Sequence, residues 1–113
     1  HQMKDFKAQE LANLAWALAT LDAEAGKARG QGEDGGAVLD FALAFRALGA
    51  EAVAKVSEFK AQELSSLAWA FAVAGPEVEG LFRSIVGEAL AKLETFEGRG
   101  LANLAWAMAT RGE

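Results

Sequence analysis

Three copies of one phrase constrain this chain more than any other feature. The phrase reads FKAQELANLAWA at residues 6–17, FKAQELSSLAWA at 59–70 and FEGRGLANLAWA at 96–107. A second phrase precedes the last two copies, as FRALGAEAVAKVSEF at 45–59 and FRSIVGEALAKLETF at 82–96, and these align without gaps. Such self-similarity indicates a repeat architecture, in which stacked units bury a shared core.

Each unit is predicted to pair a helix A, which carries the tryptophan, with a helix B that ends at the next phenylalanine. Trp69 and Trp106 lie 37 residues apart, whereas Trp16 and Trp69 lie 53 apart, which is 16 more. The extra residues fall in or near the Gly-rich, charged stretch 22–36, which is predicted to be a flexible surface loop. Residues 37–43 are expected to lengthen the helix B that follows.

The fold class predicted for residues 1–113 is all-α, an α-solenoid of antiparallel helix-turn-helix repeats in one segment. Abundant alanine and leucine with a single proline favour helices. The predicted boundaries are 6–58 for repeat one with inserted loop 22–36, 59–95 for repeat two, and 96–113 for the first helix of repeat three. Because the chain opens and closes in mid-repeat without polar caps, we expect it to be cut from a longer protein.

Composition excludes several functional classes. No cysteine is present, so disulfides and thiolate metal sites are ruled out. The apolar runs 11–21 and 64–75 are about half of the ~20 residues that a membrane span needs, so no membrane insertion is expected. The formal net charge is −5, which counts against RNA binding by this stretch alone, because free-standing nucleic-acid modules are usually basic.

Catalytic chemistry has little support in the sequence. The single histidine is His1, and no His/Cys/carboxylate cluster has the spacing of metal ligands. The glycines of residues 30–36 resemble a phosphate-binding loop only loosely, since no strand precedes them and no Gly-Lys-Ser/Thr follows. The chain is therefore predicted not to be an enzyme, with no catalytic residue, no metal and no cofactor.

Helix A shows three stripes at helical spacing. One apolar face, expected against helix B, comprises Leu11, Leu14, Ala15, Leu18 and Leu21. A second, expected against the adjacent repeat, comprises Ala12, Trp16 and Ala19. The third stays small or polar and varies between units, as a reader of one base per repeat requires. Its polar members, the predicted RNA-facing stripe, are Glu10, Asn13, Thr20, Glu63, Ser66, Asn103 and Thr110. The competing interpretation is that short residues there only keep helix A soluble.

Other side chains also carry two interpretations. Each tryptophan sits among alanines, which favours core packing over base stacking. Arg46, Arg83 and Arg99 are the best candidates for phosphate contacts. The i,i+4 pairs Glu51 with Lys55 and Glu88 with Lys92 are interpreted as a solvated face of helix B. Lys7 and Lys60 occupy positions where Ser, Thr or Asp would cap better, so the helix starts are expected to rely on packing.

Residues 9–20, QELANLAWALAT, resemble the octotricopeptide repeats and the related arrays found ahead of RAP domains in algal, apicomplexan and dinoflagellate organelle proteins. The resemblance covers the chain except the loop 22–36. It departs at Lys7-Ala8, where the family often has Ser-Pro, at Ser65-Ser66, which replace Ala-Asn, and at Arg99-Gly100, which replace Gln-Glu.

That resemblance implies an α-solenoid in a mitochondrion or plastid that binds organellar RNA and supports its maturation, stability or translation. RNA would then be the partner, as part of a ribonucleoprotein. Degenerate repeats of this kind also serve as scaffolds, so the second hypothesis is a protein–protein scaffold subunit of a large organellar complex such as a ribosome.

Overall fold

A computed structural model describes residues 5–29, 35–74 and 77–110, and this part of the chain is helical without a strand. Its five α-helices are α1 Ala8–Arg29, α2 Gly35–Ala54, α3 Ala61–Val73, α4 Leu81–Ala91 and α5 Gly98–Thr110. The tryptophan phrase lies on α1, α3 and α5, which are the A helices, and the second phrase lies on α2 and α4, the B helices. The all-α prediction is therefore confirmed.

The region between the first two helices differs from the prediction. Helix α1 continues to Arg29 and α2 begins at Gly35, so the loop predicted at 22–36 is wrong for residues 22–29 and 35–36. Residues 30–34 lie outside the described residues. Alanine, glutamate, lysine and arginine dominate 22–29, and these strong helix formers outweigh the cost of about 1 kcal/mol for Gly26. The expected lengthening of helix B by residues 37–43 is confirmed.

The three A helices lie side by side, with α3 between α1 and α5, and the B helices α2 and α4 pack against them and each other. Phenylalanines fill the centre of this core, and the rings of Phe45 and Phe71 meet edge to face with centroids 5.2 Å apart. Gly49 is buried beside them. A Cβ there would lie 2.9 Å from Val78 Cγ2 and 3.2 Å from the Phe71 ring. Glycine therefore lets α2 pack closely against both side chains.

Glutamates secure the starts of two A helices. The backbone N–H of Lys7 donates to Glu10 Oε1 at 2.8 Å, and that of Lys60 donates to Glu63 Oε1 at 2.9 Å. This is the glutamate half of a capping box, which provides an acceptor for an N-terminal N–H that has no partner within the helix. The prediction that these helix starts rely on packing, because the lysines cap poorly, did not include the hydrogen bonds to the two glutamates.

Each B helix ends in a 3₁₀ turn, Val56–Glu58 after α2 and Leu93–Thr95 after α4. The lysine before each turn reaches back to the entrance of an A helix. Lys55 Nζ donates to the Phe6 carbonyl at 2.6 Å, and Lys92 Nζ donates to the Phe59 carbonyl. We call each contact a lysine clamp.

Each clamp lysine also pairs with the glutamate one helical turn before it. The distances are 3.1 Å from Lys55 to Glu51 and 2.9 Å from Lys92 to Glu88, with the four side chains only 18–27% exposed. Interpreting these pairs as a solvated face was wrong. The clamps span 49 and 33 residues. These separations differ by the same 16 residues as the tryptophan spacings, so the 16 extra residues of the first unit leave the clamp unchanged.

Candidate nucleic-acid interface

A cleft of about 890 Å³ crosses the N-terminal halves of α3 and α5 and reaches Trp16 of α1. Its floor and walls come from consecutive A helices and from the segment that leads into α5. The residues that line the cleft include Trp16, Lys60, Gln62, Ser66, Trp69, Arg99 and Asn103. Because equivalent positions of successive A helices line one opening, an extended ligand would meet one set of side chains per unit.

The face that lines the cleft is rotated by about 50° around the helix from the stripe predicted from the sequence. On α3 it comprises Gln62, Ser66 and Trp69, at positions i, i+4 and i+7 of a helix. We call this set, with its counterparts on α1 and α5, the groove face. The counterparts that also line the cleft are Trp16 on α1, then Arg99 and Asn103 on α5.

Ser66 and Asn103 of the predicted RNA-facing stripe lie in the cleft, and Asn13, at the equivalent position of α1, is exposed. The glutamates Glu10 and Glu63 accept hydrogen bonds from their own helix starts instead. Thr20 Oγ1 donates to the Trp16 carbonyl at 3.0 Å, and this bond occupies its hydroxyl hydrogen. Thr110 is exposed near the end of α5.

The stripe of small residues predicted to face RNA is interrupted by a packing position. Ala70 and Ala107 belong to that stripe, yet each is fully buried. Both belong to the buried core, so their small size serves close helix packing. A stripe at i, i+3, i+7 and i+10 cannot therefore read a ligand along its whole length in α3 or α5.

Core packing, which the sequence indicated for all three tryptophans, is wrong for Trp16 and Trp106, whereas Trp69 packs against the core. Trp16 is 54% exposed and Trp106 50% exposed, and Trp69 is only partly buried. Trp16 and Trp69 both line the cleft. Flanking alanines had suggested a buried ring, but these alanines project from other sides of the helix. The spacing of Trp16 from Gln9 and Asn13, seven and three residues earlier, was the available signal for a polar groove.

The charge of the cleft is opposite in sign to that of the chain. Lys60, Lys92 and Arg99 line it together with one acid, Glu97, whereas the chain carries a formal −5. Lys92 is engaged in its clamp, so the exposed Lys60 and Arg99 supply the positive charge that a ligand would meet. Cationic side chains beside exposed aromatic rings are the usual components of single-stranded nucleic-acid grooves.

The three arginines predicted to contact phosphate do not converge. Arg99 lines the cleft at the start of α5. Arg46 and Arg83 are exposed on α2 and α4, and neither contributes to the described walls of the cleft. Lys60 was missed by sequence reasoning, which treated it only as a weak helix cap.

Among residues 5–29, 35–74 and 77–110, no three His, Cys, Asp or Glu side chains are grouped so that they could hold a metal ion. A bilayer-spanning helix, long and apolar throughout, is likewise not found among them.

Comparison with known proteins found no matching family model, and neither the curated proteins nor the solved structures contain a significant match.

Proposed function

We propose that this chain is an α-solenoid segment, with a unit of about 37 residues, of an organellar protein that binds single-stranded RNA through the cleft. The observation that carries the proposal is the meeting of Trp16, Trp69 and the cations Lys60 and Arg99 in one cleft on the A helices. The RNA would be a mitochondrial or plastid transcript or ribosomal RNA, and binding would support its maturation, stability or translation.

The side chains divide into three roles. Base stacking on exposed tryptophan accepts any base and contributes about 1–3 kcal/mol per base. Lys60 and Arg99 contact phosphates and set the register of the strand without reading it. The groove-face positions Gln62, Ser66 and Asn103 provide hydrogen-bond donors and acceptors for unpaired base edges.

The test is binding of labelled single-stranded RNA to the chain across a salt series. Trp16→Ala should weaken binding about 5- to 150-fold, the equivalent of one lost stacking contact. Trp106→Ala is the matched control, because it carries the same exposed ring in the same phrase outside the cleft. Equal losses in both variants, or no binding at low salt, would overturn the proposal.

A second pair of variants tests the phosphate contacts. Arg99→Gln should reduce the slope of log K against log salt by about 0.7, the value for one phosphate contact on a single strand. Arg83→Gln should leave the slope unchanged, since Arg83 is exposed on α4 away from the cleft. Exchanging Ser66 for asparagine should change which bases are preferred while leaving the salt slope as it was.

Exposed leucines on the B helices favour a second candidate function, a scaffold subunit of a large organellar complex. Leu43 is 56% exposed and Leu90 is 66% exposed, and a partner subunit that covered them would gain about 25 cal/mol for each Å² of apolar surface buried. The acidic balance of the chain also suits a protein partner better than RNA. If RNA binding is absent and Leu43→Ser with Leu90→Ser releases co-purifying organellar subunits, the scaffold function replaces the first.

A further inference from the structure

Neighbouring A helices enclose two gaps, one between α1 and α3 and one between α3 and α5, and the residues beside these gaps differ in charge. Thr95 and Gly100 line the cleft where it crosses the α3–α5 gap. The residues 37 positions earlier are Glu58 and Glu63, which hold the equivalent places beside the α1–α3 gap. One gap therefore has two carboxylates where the other has a hydroxyl group and no side chain.

The packing around Gly100 explains why no side chain fills its place. Ser65 Oγ on α3 donates to the Gly100 carbonyl at 2.9 Å, and a Cβ at Gly100 would lie 3.3 Å from that Oγ atom. On α1 the counterpart of Ser65 is Ala12, whose shorter side chain is buried. The α1–α3 gap thus combines Ala12 with Glu63, and the α3–α5 gap combines Ser65 with Gly100. Because both members of the pair differ, the open α3–α5 gap is an arrangement of two helices rather than the loss of one side chain.

The Glu63 carboxylate is held at the start of α3. Its Oε1 accepts a hydrogen bond from the Lys60 backbone N–H at 2.9 Å, so negative charge is fixed beside the α1–α3 gap. Glu58, on the 3₁₀ turn just before α3, is exposed. Like charges repel, so a phosphate that enters beside these two groups loses binding free energy. In the α3–α5 gap a phosphate meets Lys60 and Arg99, with Glu97 as the acid among the lining residues.

We propose that residues 58, 63, 95 and 100 select the gap that RNA enters. Thr95 and Gly100 admit the phosphates of a single strand between α3 and α5, whereas Glu58 and Glu63 exclude them from the gap between α1 and α3. The inference rests on the proposed function and deepens it, because it assigns the phosphate contacts to one gap rather than to every unit. A strand that places its phosphates in one gap is short, so further nucleotides add little affinity.

Transplanting the pair from the α1–α3 gap tests the inference. The chain with Ser65→Ala and Gly100→Glu receives the Ala–Glu pair. Its matched control combines Ser65→Ala with Gly100→Gln, which has the same length and can form the same cap but carries no charge. The probe is a labelled uridine oligonucleotide of about 4 nucleotides, the lower end of the site sizes of single-strand grooves. The glutamate variant should bind it about 3- to 100-fold more weakly than the glutamine variant, the effect of one like charge at about 6 Å between bulk water and a protein surface. Circular dichroism shows that both variants retain their helices.

The reverse exchange tests the exclusion. Glu58→Gln with Glu63→Gln removes both charges from the α1–α3 gap and keeps an amide that can cap α3. Affinity should then rise more for an oligonucleotide of about 16 nucleotides than for the short probe, because the longer strand reaches both gaps. Equal binding by the glutamate and glutamine variants, or an equal gain for both probes, overturns the inference, while RNA binding by the unchanged chain upholds the proposed function. An unchanged chain that binds neither probe overturns both.

Discussion

Helices α3 and α5 carry nearly the same phrase and occupy different environments. Leu64 on α3 is completely buried, whereas Leu101, its counterpart on α5, is 42% exposed. The difference comes from neighbours, because α3 packs against both α1 and α5 while α5 packs against α3. In a repeat molecule the apolar pattern therefore indicates which side chains are able to be buried, and the position in the stack decides which of them are.

The N-terminal ends of α3 and α5 also differ in their hydrogen bonds. The start of α3 is held by Glu63 and by the Lys92 clamp on the Phe59 carbonyl. At the start of α5, Gly100 replaces the glutamate, and its carbonyl accepts the hydrogen bond from Ser65. Helix α5 thus gives up an N-terminal cap and gains a contact with α3.

The comparison is tested most strongly by truncating the two leucines. Leu64→Ala should lower the free energy of unfolding by about 2–5 kcal/mol, since it opens a cavity in a closed core. Leu101→Ala should cost less than about 1 kcal/mol, because the side chain is already half in solvent. Urea unfolding followed by circular dichroism measures both. If Leu64→Ala does not fold, Leu64→Met gives a milder test, with a cost below about 1.5 kcal/mol; similar losses at the two positions would contradict the comparison.

The lysine clamps give the next largest effect. Lys92→Met should destabilise the chain by about 1–3 kcal/mol, because the Phe59 carbonyl and the Glu88 carboxylate each lose a partner in a partly buried site. Lys55→Met should behave alike at the entrance of α1. Lys60→Met is the exposed control and should change stability by less than about 0.5 kcal/mol. The same unfolding assay applies, and a Lys92 variant no worse than the control would show that the clamp contributes nothing.

Removing the hydrogen bond between α3 and α5 is expected to have a smaller effect. Ser65 is 5% exposed and its hydroxyl donates to the Gly100 carbonyl, so Ser65→Ala should cost about 1 kcal/mol. Ala102 holds the same place on α5 but is exposed, and Ala102→Ser should change stability by no more than about 0.5 kcal/mol. Thermal unfolding of the two variants distinguishes a bond that joins the helices from a serine that is merely tolerated.

The helix caps provide the smallest difference. Glu63→Ala removes the acceptor for the Lys60 N–H and should cost about 0.5–1 kcal/mol. On α5 the reverse change is instructive, because a Cβ at Gly98 meets open space while one at Gly100 would lie 3.3 Å from Ser65 Oγ. Gly98→Ala should therefore stabilise the chain by up to about 1 kcal/mol, and Gly100→Ala by less. Hydrogen exchange of the first turns reports these local changes.

The helices and their order were predictable from the sequence, because the phrases repeat at helical spacing and contain few helix breakers. The extension of α1 to Arg29 was missed, since the number of glycines and charges in 22–36 suggested a loop although residues 22–29 favour helix individually. Composition averaged over residues 22–36 therefore gave the wrong prediction for residues 22–29 and 35–36, which are helical.

The candidate site was harder to predict for a different reason. Which side of a helix faces a neighbour depends on packing angles between helices, and an error of about half a residue rotates a stripe by about 50°. Such an error placed Ala70 in the predicted reading stripe and left Gln62 and Trp69 out of it. The clamps were missed because Lys92 and Phe59 lie 33 residues apart, and a helical i,i+4 pair with Glu88 already explained the lysine.

The equal geometry of the two clamps has a practical consequence for engineering. The units are joined by the clamps and by the contacts between A helices, neither of which involves the link from α1 to α2. The first unit has 16 more residues than the second, and its clamp is nevertheless formed. Lengthening a connection costs only about 0.6 kcal/mol for each doubling. We therefore expect foreign peptides, such as an epitope or a dye-binding loop, to be inserted best between Arg29 and Gly35. Such an insertion should leave the clamp contacts of Lys55 and Lys92 in place.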